Sequence, residues 1–292
     1  MSPFPSQFIV DAFTDQLFAG NPAAVCLQPL PEALMQRVAQ ENNLSETAFL
    51  TKTGDDYALR WFTPAGEIDL CGHATLAAAH VVLTQLEPGR QQVTFHTCSG
   101  PLPVQKRGDR YEMDFPAYTL SPVPVTEAMA AAFGARPTAA YLGRDLLCVF
   151  DREETVGGLT PDQEALRELE GLLQHATARG RAADCVSRSF APKCGVPEDP
   201  VCGSGHCHIF PYWARVLGKD TLVAWQASPR GGTLYCRLEG DRVILDILKS
   251  FGGKIANVNG GLRFSRSLLK AGEIDLSDCP DLGPVLIALG CL

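Results

Sequence analysis

Residues 74–86 read Ala-Thr-Leu-Ala-Ala-Ala-His-Val-Val-Leu-Thr-Gln-Leu. The run predicts a helix whose surface is apolar on nearly every side. Such a helix is stable only when other structure encloses it, because a surface helix needs a polar face. The pattern therefore predicts a buried helix inside a sleeve of strands, and this feature decides the fold.

Strand patterns lie on both sides of this helix. They occur at residues 8–13, 57–62, 93–98, 102–106 and 111–115, and a helical pattern occupies 31–42. Strands that follow one another with short turns are typical of an antiparallel meander rather than of a series of βαβ units. The first part of the chain is thus expected to form a largely antiparallel sheet around the helix.

The sequence also suggests where one part of the chain ends. The polar stretch 116–125 predicts a linker, with a boundary near residue 118. This gives an N-terminal domain over 1–117 and a C-terminal domain over 118–292, whose tail departs from the pattern from about residue 247. Thr160-Pro161-Asp162-Gln163 carries helix-start signals and predicts a surface helix over 160 to about 177.

Two parts of the sequence repeat one another. Arg60-Trp61-Phe62-Thr63-Pro64 precedes Cys71-Gly72-His73, and Arg188-Ser189-Phe190-Ala191-Pro192 precedes Cys202-Gly203-Ser204, at offsets of 128 and 131 residues. A predicted helix follows each Cys-Gly pair. We expect an α+β fold of two pseudo-repeated halves, each a largely antiparallel sheet wrapped round a central helix. Chance matches among common residues are the alternative.

Composition limits the class of protein. The 292 residues are 46% apolar and 20% charged, which is typical of a globular protein of about two domains. The net charge of −8 argues against binding nucleic acid through a basic surface and favours small-molecule partners. No run is long and apolar enough for a membrane span, and the start lacks signal-peptide features, so a cytoplasmic location is expected.

Eleven cysteines, an odd number, make a disulfide framework improbable and suggest that most are small core residues. His206-Cys207-His208, with Cys202 and the Cys71-Gly72-His73 group, suggests a zinc site, but the spacing is poor and no CxxC pair occurs. Phosphate-binding, dinucleotide, zinc-protease and serine-hydrolase motifs are not found. The sequence therefore predicts neither a metal nor a cofactor.

Each Cys-Gly turn starts a predicted helix and so offers free backbone N–H groups to an anion. Two such turns facing one cleft would bind a carboxylate, although a Cys-Gly turn can also be purely structural. A cysteine at a helix start is expected to have a lowered pKa. Cys71 and Cys202 could then be the acid/base pair of a racemase or epimerase, or two buried thiols that pack the turns.

Acidic residues near these turns suggest proton transfer. Glu46 lies in Asn43-Leu44-Ser45-Glu46-Thr47-Ala48-Phe49, among small and apolar residues at a predicted strand start. A carboxylate is costly to bury there unless it is paired or protonated, which suits general acid/base work. Glu198-Asp199, just before Cys202, is a second acidic candidate. For both, an exposed loop carboxylate is the simpler interpretation.

Four ordered motifs resemble the PhzF-like phenazine-biosynthesis isomerase family. They are Asp11-Ala12-Phe13 with Gly20-Asn21-Pro22-Ala23, the Glu46 segment, Phe62-Thr63-Pro64 with Cys71-Gly72-His73-Ala74-Thr75, and residues 198–207. The resemblance covers roughly residues 7–245. It implies a diaminopimelate-epimerase-like fold, with the site in the cleft between two similar halves, no cofactor and a homodimer.

The resemblance also implies roles for particular residues. Glu46 would shuttle a proton between carbons of a small unsaturated acid, assisted by His73 and Asp199. Ser204 and the backbone of Gly72 and Gly203 would hold the substrate, with Cys71 and Cys202 beside them.

Two features depart from the family pattern. Cys202 stands where many relatives have threonine, and with Cys71 it restores the cysteine pair of true epimerases. The tail 247–292 does not read like the usual single closing strand, and its segment 274–284 is locally similar to enolpyruvyl transferases. The expected function is a cofactor-independent isomerase. The alternatives are a two-cysteine amino-acid racemase or epimerase, and a non-catalytic small-acid-binding protein.

Overall fold

A computed structural model describes residues 6–16, 18–248, 251–258 and 261–266. Within these ranges, no helix combines the length and the apolar character needed to cross a lipid bilayer.

The N-terminal half is a curved sheet with two helices. Its strands are β1 (Ser6–Ala12), β2 (Asn21–Cys26), β3 (Glu46–Thr53), β4 (Asp56–Phe62), β5 (Glu67–Ile68), β6 (Gln92–Thr97), β7 (Gly100–Arg107) and β8 (Arg110–Pro116). Helix α1 (Glu32–Asn42) joins β2 to β3, and α2 (Gly72–Val81) joins β5 to β6 and continues as a π-helical turn, Val82–Leu86. The expected strands and both expected helices are present.

The C-terminal half has the same kinds of element. Its strands are β9 (Ser121–Val123), β10 (Ala139–Leu142), β11 (Leu146–Val149), β12 (Gln174–Arg179), β13 (Cys185–Ala191), β14 (Val196–Asp199), β15 (Thr221–Gln226), β16 (Gly232–Glu239) and β17 (Arg242–Leu248). Its helices are α3 (Glu127–Phe133), α4 (Glu153–Gly157), α5 (Gln163–Glu168) and α6 (Gly203–Leu217), with a 3₁₀ turn at Pro192–Cys194.

The pairing of strands repeats between the halves. In the first half β1 and β2 are antiparallel, β2 and β3 parallel, β3 and β4 antiparallel, and β4 and β6 parallel. In the second half β10–β11, β11–β12, β12–β13 and β13–β15 follow the same sequence of orientations. The predicted fold of two pseudo-repeated halves is confirmed. The meander prediction is wrong at the parallel pairs, where a helix connects the two strands and lets the chain return in the same direction.

The two sheets meet along one edge. Strand β8 of the first half pairs antiparallel with β17 of the second, from Pro116 opposite Arg242 to Arg110 opposite Leu248. The apolar core is continuous across this junction and includes residues of both central helices, such as Leu76 and Ile209. A second apolar cluster lies between the C-terminal sheet and α3 to α5.

Helix α2 is enclosed as its composition predicts. Every residue from His73 to Val81 is buried, and the helix packs against β1, β2 and β3. Helix α6 occupies the same place in the second half and packs against β12, β13, β15, β16 and β17. The two helices also touch each other, which brings the two halves of the repeat together.

The register makes positions in the two halves comparable. Thr47 of β3 lies opposite Phe62, and Gln174 of β12 lies opposite Phe190. Because Phe62 and Phe190 are equivalent in the sequence repeat, the residue before Gln174 is the counterpart of Glu46. That residue is Leu173, so only the first half carries a carboxylate at this position.

The predicted surface helix over 160–177 is wrong in its second part. Helix α5 ends at Glu168, its N-cap is Asp162, and Gln174–Arg179 is the buried strand β12. The helix ends where Leu169, its C-cap, adopts an extended backbone, and Gly171 then has a φ of +80° and lies against the backbone of Leu146. The capping signals correctly indicate a helix here, but it starts at Gln163 rather than at 160, and they do not determine its end.

The predicted linker and tail also contain strands. Part of the stretch 116–125 forms β9, which pairs with β10. In the tail, β18 (Phe251–Val258) pairs antiparallel with β1 and with β19 (Gly261–Arg266). The segment 274–284 lies outside the described residues. The boundary near 118 stays a prediction.

Replacing Gly171 by alanine tests the packing of the turn that follows α5. A Cβ there would lie 2.5 Å from the Leu146 backbone nitrogen, which cannot easily move. Gly54 also has a positive φ, but a Cβ there would meet nothing within 4 Å. Gly171→Ala should lower the free energy of unfolding by about 1–3 kcal/mol more than Gly54→Ala does. Equal losses of unfolding free energy in Gly171→Ala and Gly54→Ala, measured by urea unfolding, would contradict this packing argument.

Candidate active site

A cavity of about 830 Å³ lies between the two halves of the repeat. It brings together all the residues that sequence reasoning proposed for the site. They are Glu46, Cys71, Gly72, His73, Asp199, Cys202, Gly203 and Ser204. The two Cys-Gly turns therefore face one space, as the anion-site hypothesis requires.

The cavity is bordered by the starts of both central helices. Cys71 is the N-cap residue of α2 and Cys202 that of α6, where the Cys202 Sγ accepts a hydrogen bond from Gly205 N at 3.3 Å.

The pKa values of the Cys71 and Cys202 thiols differ from the expectation. Burial raises the pKa of both thiols, with nearby acidic groups adding to the effect, so the predicted lowering at a helix start is wrong.

Glu46 and His73 form the most direct contact between acid/base groups in the cavity. Glu46 is the first residue of β3, and its Oε2 lies 3.0 Å from His73 Nε2. Burial disfavours the imidazolium, but the interactions with Cys71 and Glu46 favour it and prevail, so the pKa of His73 lies well above its usual value. The pair is suited to exchanging a proton with a bound molecule.

Asn21 connects this pair to the other half. Its side-chain Nδ2 lies 2.7 Å from Asp199 Oδ1, 3.0 Å from the Val201 carbonyl oxygen and 3.2 Å from His73 Nδ1. Asn21 is fully buried. It therefore fixes the distance between His73 on α2 and Asp199 at the end of β14.

Asp199 and Glu198 have different surroundings despite being neighbours. Desolvation raises the pKa of Asp199, and Glu46 adds to this rise while His73 opposes it. Glu198 instead makes a bidentate ion pair with Arg188 at 2.8 and 2.7 Å. Of the predicted acidic pair, Asp199 lines the cavity, whereas Glu198 is held by a structural ion pair.

Arg144 is a cavity residue that sequence reasoning missed. Its Nε and Nη2 donate to Asp145 Oδ1 and Oδ2 at 3.0 and 2.6 Å, and Nη2 also donates to Ser204 Oγ at 3.1 Å. Nη1 reaches Tyr118 Oη at 3.5 Å. Among the described residues, one N–H of the guanidinium remains for a ligand, and about a third of the side chain is exposed to the cavity.

Asp145 holds Arg144 in place and is itself completely buried. Its Oδ1 also accepts from Leu173 N at 3.3 Å, and His175 Nε2 lies 3.1 Å from its Oδ2. Its backbone N–H donates to His208 Nε2 at 3.2 Å. Desolvation opposes ionisation of Asp145, but its bonds to His175 and Arg144 prevail and place its pKa well below the usual range.

The histidines of α6 do not form the zinc site that the sequence suggested. His206 Nδ1 contacts the Cys202 carbonyl, while His208 stacks on Tyr118 with ring centroids 4.3 Å apart. Burial lowers the pKa of both to about 4. All nine cysteines within the described ranges are free, and seven of them are buried, as expected.

The missed residues left weak signals in the sequence. Asn21 lies in one of the family motifs, and a polar side chain before an apolar strand is a sign of a buried polar contact. The charged pair Arg144-Asp145 likewise precedes the apolar strand β11. Their partners are 178 and 60 residues away, so no local pattern could identify them.

Comparison with known proteins places the chain among enzymes. The family model for phenazine biosynthesis-like protein matches residues 10–246. A Pseudomonas aeruginosa protein named as an uncharacterized isomerase is 47% identical over 237 residues, which cover 80% of this chain and 91% of the relative. A crystal structure of a PhzF-family phenazine biosynthesis protein from Enterococcus faecalis is 48% identical, covers 86% of this chain and 98% of that chain, and has a TM-score of 0.83.

A more distant structure shares the fold alone. A hydroxyproline epimerase from Agrobacterium vitis is 10% identical, with 87% of this chain and 94% of that chain covered and a TM-score of 0.56. The curated relatives named as isomerases, together with the family match, define the protein as an isomerase. The chain belongs to the phenazine biosynthesis-like (PhzC/PhzF) family.

The buried Asp145 should make stability depend on pH. Its pKa is depressed in the folded protein, so its contribution is present at neutral pH and is lost as the pH falls below about 3.9, its unfolded value, towards the folded one. Asp145→Asn removes one member of a buried ion pair and should cost about 3–5 kcal/mol at pH 7.

Urea unfolding of wild type and Asp145→Asn at several pH values measures this contribution. The difference in free energy of unfolding between wild type and Asp145→Asn should shrink as the pH falls below about 3.9, the pKa of aspartate in the unfolded chain. Exposed Asp109, in the turn between β7 and β8, provides the control Asp109→Asn. A difference for Asp145→Asn that stays constant with pH would contradict the ion-pair assignment.

Proposed function

We propose that this isomerase moves a proton on a small carboxylate-bearing substrate, with Glu46 as the general acid and base. The observation that carries the proposal is the chain of contacts from Glu46 through His73 and Asn21 to Asp199, which crosses the cavity between the halves. It joins three titratable groups around one space where a substrate carbon can lie.

Glu46 would remove and return the proton. Its carboxylate lies at the start of β3 with about 16% of the side chain exposed, so it is open to the cavity but largely shielded from water. His73, 3.0 Å away, would stabilise the carboxylate by charge when Glu46 has no proton. Asp199, held by Asn21, would assist from the opposite half.

The substrate carboxylate would bind at the helix starts. Gly72, Gly203 and Ser204 are the first residues of α2 and α6, where backbone N–H groups lack helical partners. Arg144, bonded to Ser204 Oγ, would add a full positive charge and a free N–H donor. We therefore extend the proposed binding site to Arg144.

A two-cysteine racemase is the competing function, because Cys71 and Cys202 line the same cavity. Burial raises the pKa of both thiols, which leaves less of either cysteine as the thiolate base at neutral pH. The repeat also gives Leu173 as the counterpart of Glu46, so the halves do not offer matching acid/base groups at that position. We favour the glutamate mechanism.

Glu46→Gln tests the proposed base. Loss of proton transfer should reduce turnover by about 10² to 10⁴-fold, because the amide cannot accept the proton while the side chain keeps its shape. The measurement is deuterium uptake from D₂O by NMR, with a panel of small amino, hydroxy and unsaturated carboxylic acids as probes. Unchanged uptake in folded Glu46→Gln would refute this role.

The cysteine variants separate the two enzyme mechanisms in the same assay. Under the glutamate mechanism, Cys71→Ser and Cys202→Ser should each slow exchange by less than about tenfold, or 1.4 kcal/mol of barrier. In a thiol-pair epimerase either change stops exchange. Loss of uptake in a cysteine variant while Glu46→Gln retains it would identify the epimerase.

Arg144→Gln tests the proposed anion contact. Losing a charged hydrogen-bond donor should weaken substrate binding by about 1.5–3 kcal/mol, which would raise KM by about 10 to 100-fold and change kcat less. Arg167→Gln is a matched control, because Arg167 also lines the cavity but belongs to α5 and pairs with Glu164. Equal effects of both substitutions would mean that Arg144 has no specific role.

The homodimer and the cytoplasmic location stay predictions. Size-exclusion chromatography with light scattering tests the first of them directly.

A further inference from the structure

Two clusters of potential metal ligands occur in the described part of the chain. One is Glu46, Cys71 and His73, and the other is Asp145, His175 and His208. In each cluster, one ligand atom from every residue lies within 4.8 Å of the others. Both clusters therefore satisfy the distance requirement for a metal site. Their hydrogen bonds are what distinguish them.

The Asp145 cluster is closed by hydrogen bonds. Both Asp145 oxygens accept from the Arg144 guanidinium, and Oδ2 also faces His175 Nε2. His208 Nε2 accepts the Asp145 backbone N–H. A cation entering here would have to displace these bonds beside the positive charge of Arg144, so this cluster is a structural network.

The Glu46 cluster is open. Within the described residues, Glu46 Oε2 and His73 Nε2 are buried atoms without a hydrogen bond of acceptable geometry, although they lie 3.0 Å apart. His73 is 95% buried and lines the cavity with Glu46 and Cys71. Cys71 Sγ lies 3.5 Å from His73 Nδ1. The three residues thus line the cavity, and two of their ligand atoms, Glu46 Oε2 and His73 Nε2, have no hydrogen bond within the described residues.

From this contrast we propose that Glu46, Cys71 and His73 form a binding site for a thiophilic divalent cation, with Zn²⁺ as the best match. A thiolate, an imidazole and a carboxylate are zinc ligands with bond lengths of about 2.0–2.3 Å, and three protein ligands leave the fourth position to water. Small side-chain movements would bring the three ligand atoms to tetrahedral separations.

The charges and protons of the bound state balance. Cys71 loses its thiol proton on binding and His73 coordinates as neutral imidazole, with any extra proton released to solvent. One thiolate and one carboxylate then neutralise the two positive charges of the ion, so no net charge is buried. Bound zinc would occupy Glu46 and His73 and so block proton transfer. This last consequence, unlike the binding itself, rests on the proposed function.

Metal binding can be measured without substrate. The full chain is stripped with a chelator, kept reduced with a phosphine and titrated with Co²⁺ by absorption spectroscopy and with Zn²⁺ by calorimetry. One equivalent of Co²⁺ should give a thiolate-to-cobalt charge-transfer band, which Zn²⁺ displaces. Exposed Cys98 and Cys194 could add weaker background binding, so the comparison between variants decides the assignment.

Cys71→Ser should remove this band and weaken Zn²⁺ binding by at least about 100-fold, because even outer-shell changes cost 10 to 100-fold. Cys148→Ser, at an equally buried cysteine in β11, is the matched control and should bind as wild type does. Glu46→Gln should keep the thiolate band but bind Zn²⁺ more weakly. If Cys71→Ser fails to fold, the weaker Zn²⁺ binding of Glu46→Gln still tests the metal site.

The outcomes distinguish this proposal from the proposed function. No stoichiometric binding by wild type, or equal binding by wild type, Cys71→Ser and Glu46→Gln, would overturn the metal site. If zinc binds through Cys71 and deuterium exchange stops until a chelator is added, both proposals are supported. If zinc binds through Cys71 but exchange continues, the metal site stands and the assignment of Glu46 as the base fails.

Discussion

The absence of a polar face on α2 is the constraint on which the rest of the molecule depends. A helix that is buried from His73 to Val81 needs strands on all sides, and a curved sheet supplies them. In the second half of the repeat another sheet surrounds α6, and the two helices contact each other. Because the backbone N–H groups at both helix starts lack helical partners, the place where these starts face each other becomes a polar cavity in an apolar core.

Asn21 shows how the two halves act as one site. Its buried amide contacts His73 in the first half and both Asp199 and the Val201 carbonyl in the second. A side chain whose two N–H groups lie among three polar neighbours is restricted in position, and it restricts the positions of those neighbours. The spacing of the acid/base groups therefore depends on a residue that need not take part in chemistry itself.

Much of this arrangement could be predicted from the sequence, for identifiable reasons. The enclosed helix follows from composition, and the paired Cys-Gly turns follow from the repeat, so all eight proposed site residues line one cavity. The role of Arg144 depends on contacts across the fold and has no periodic pattern. The helix predicted over 160–177 ends early, at Glu168, and Gly171 then packs on the Leu146 backbone, a tertiary contact that local capping signals do not contain.

Duplication usually preserves symmetry, yet these halves have become chemically unequal. The register places Leu173 in the second half where the first has Glu46. An enzyme that inverts a centre in both directions benefits from equivalent groups on opposite faces of the substrate. Under the proposed function, where Glu46 alone carries the proton and Asp199 only assists, a proton taken by Glu46 would return to the face it left. The stereochemical course would then be suprafacial, with the migrating hydrogen retained on one side of the molecule.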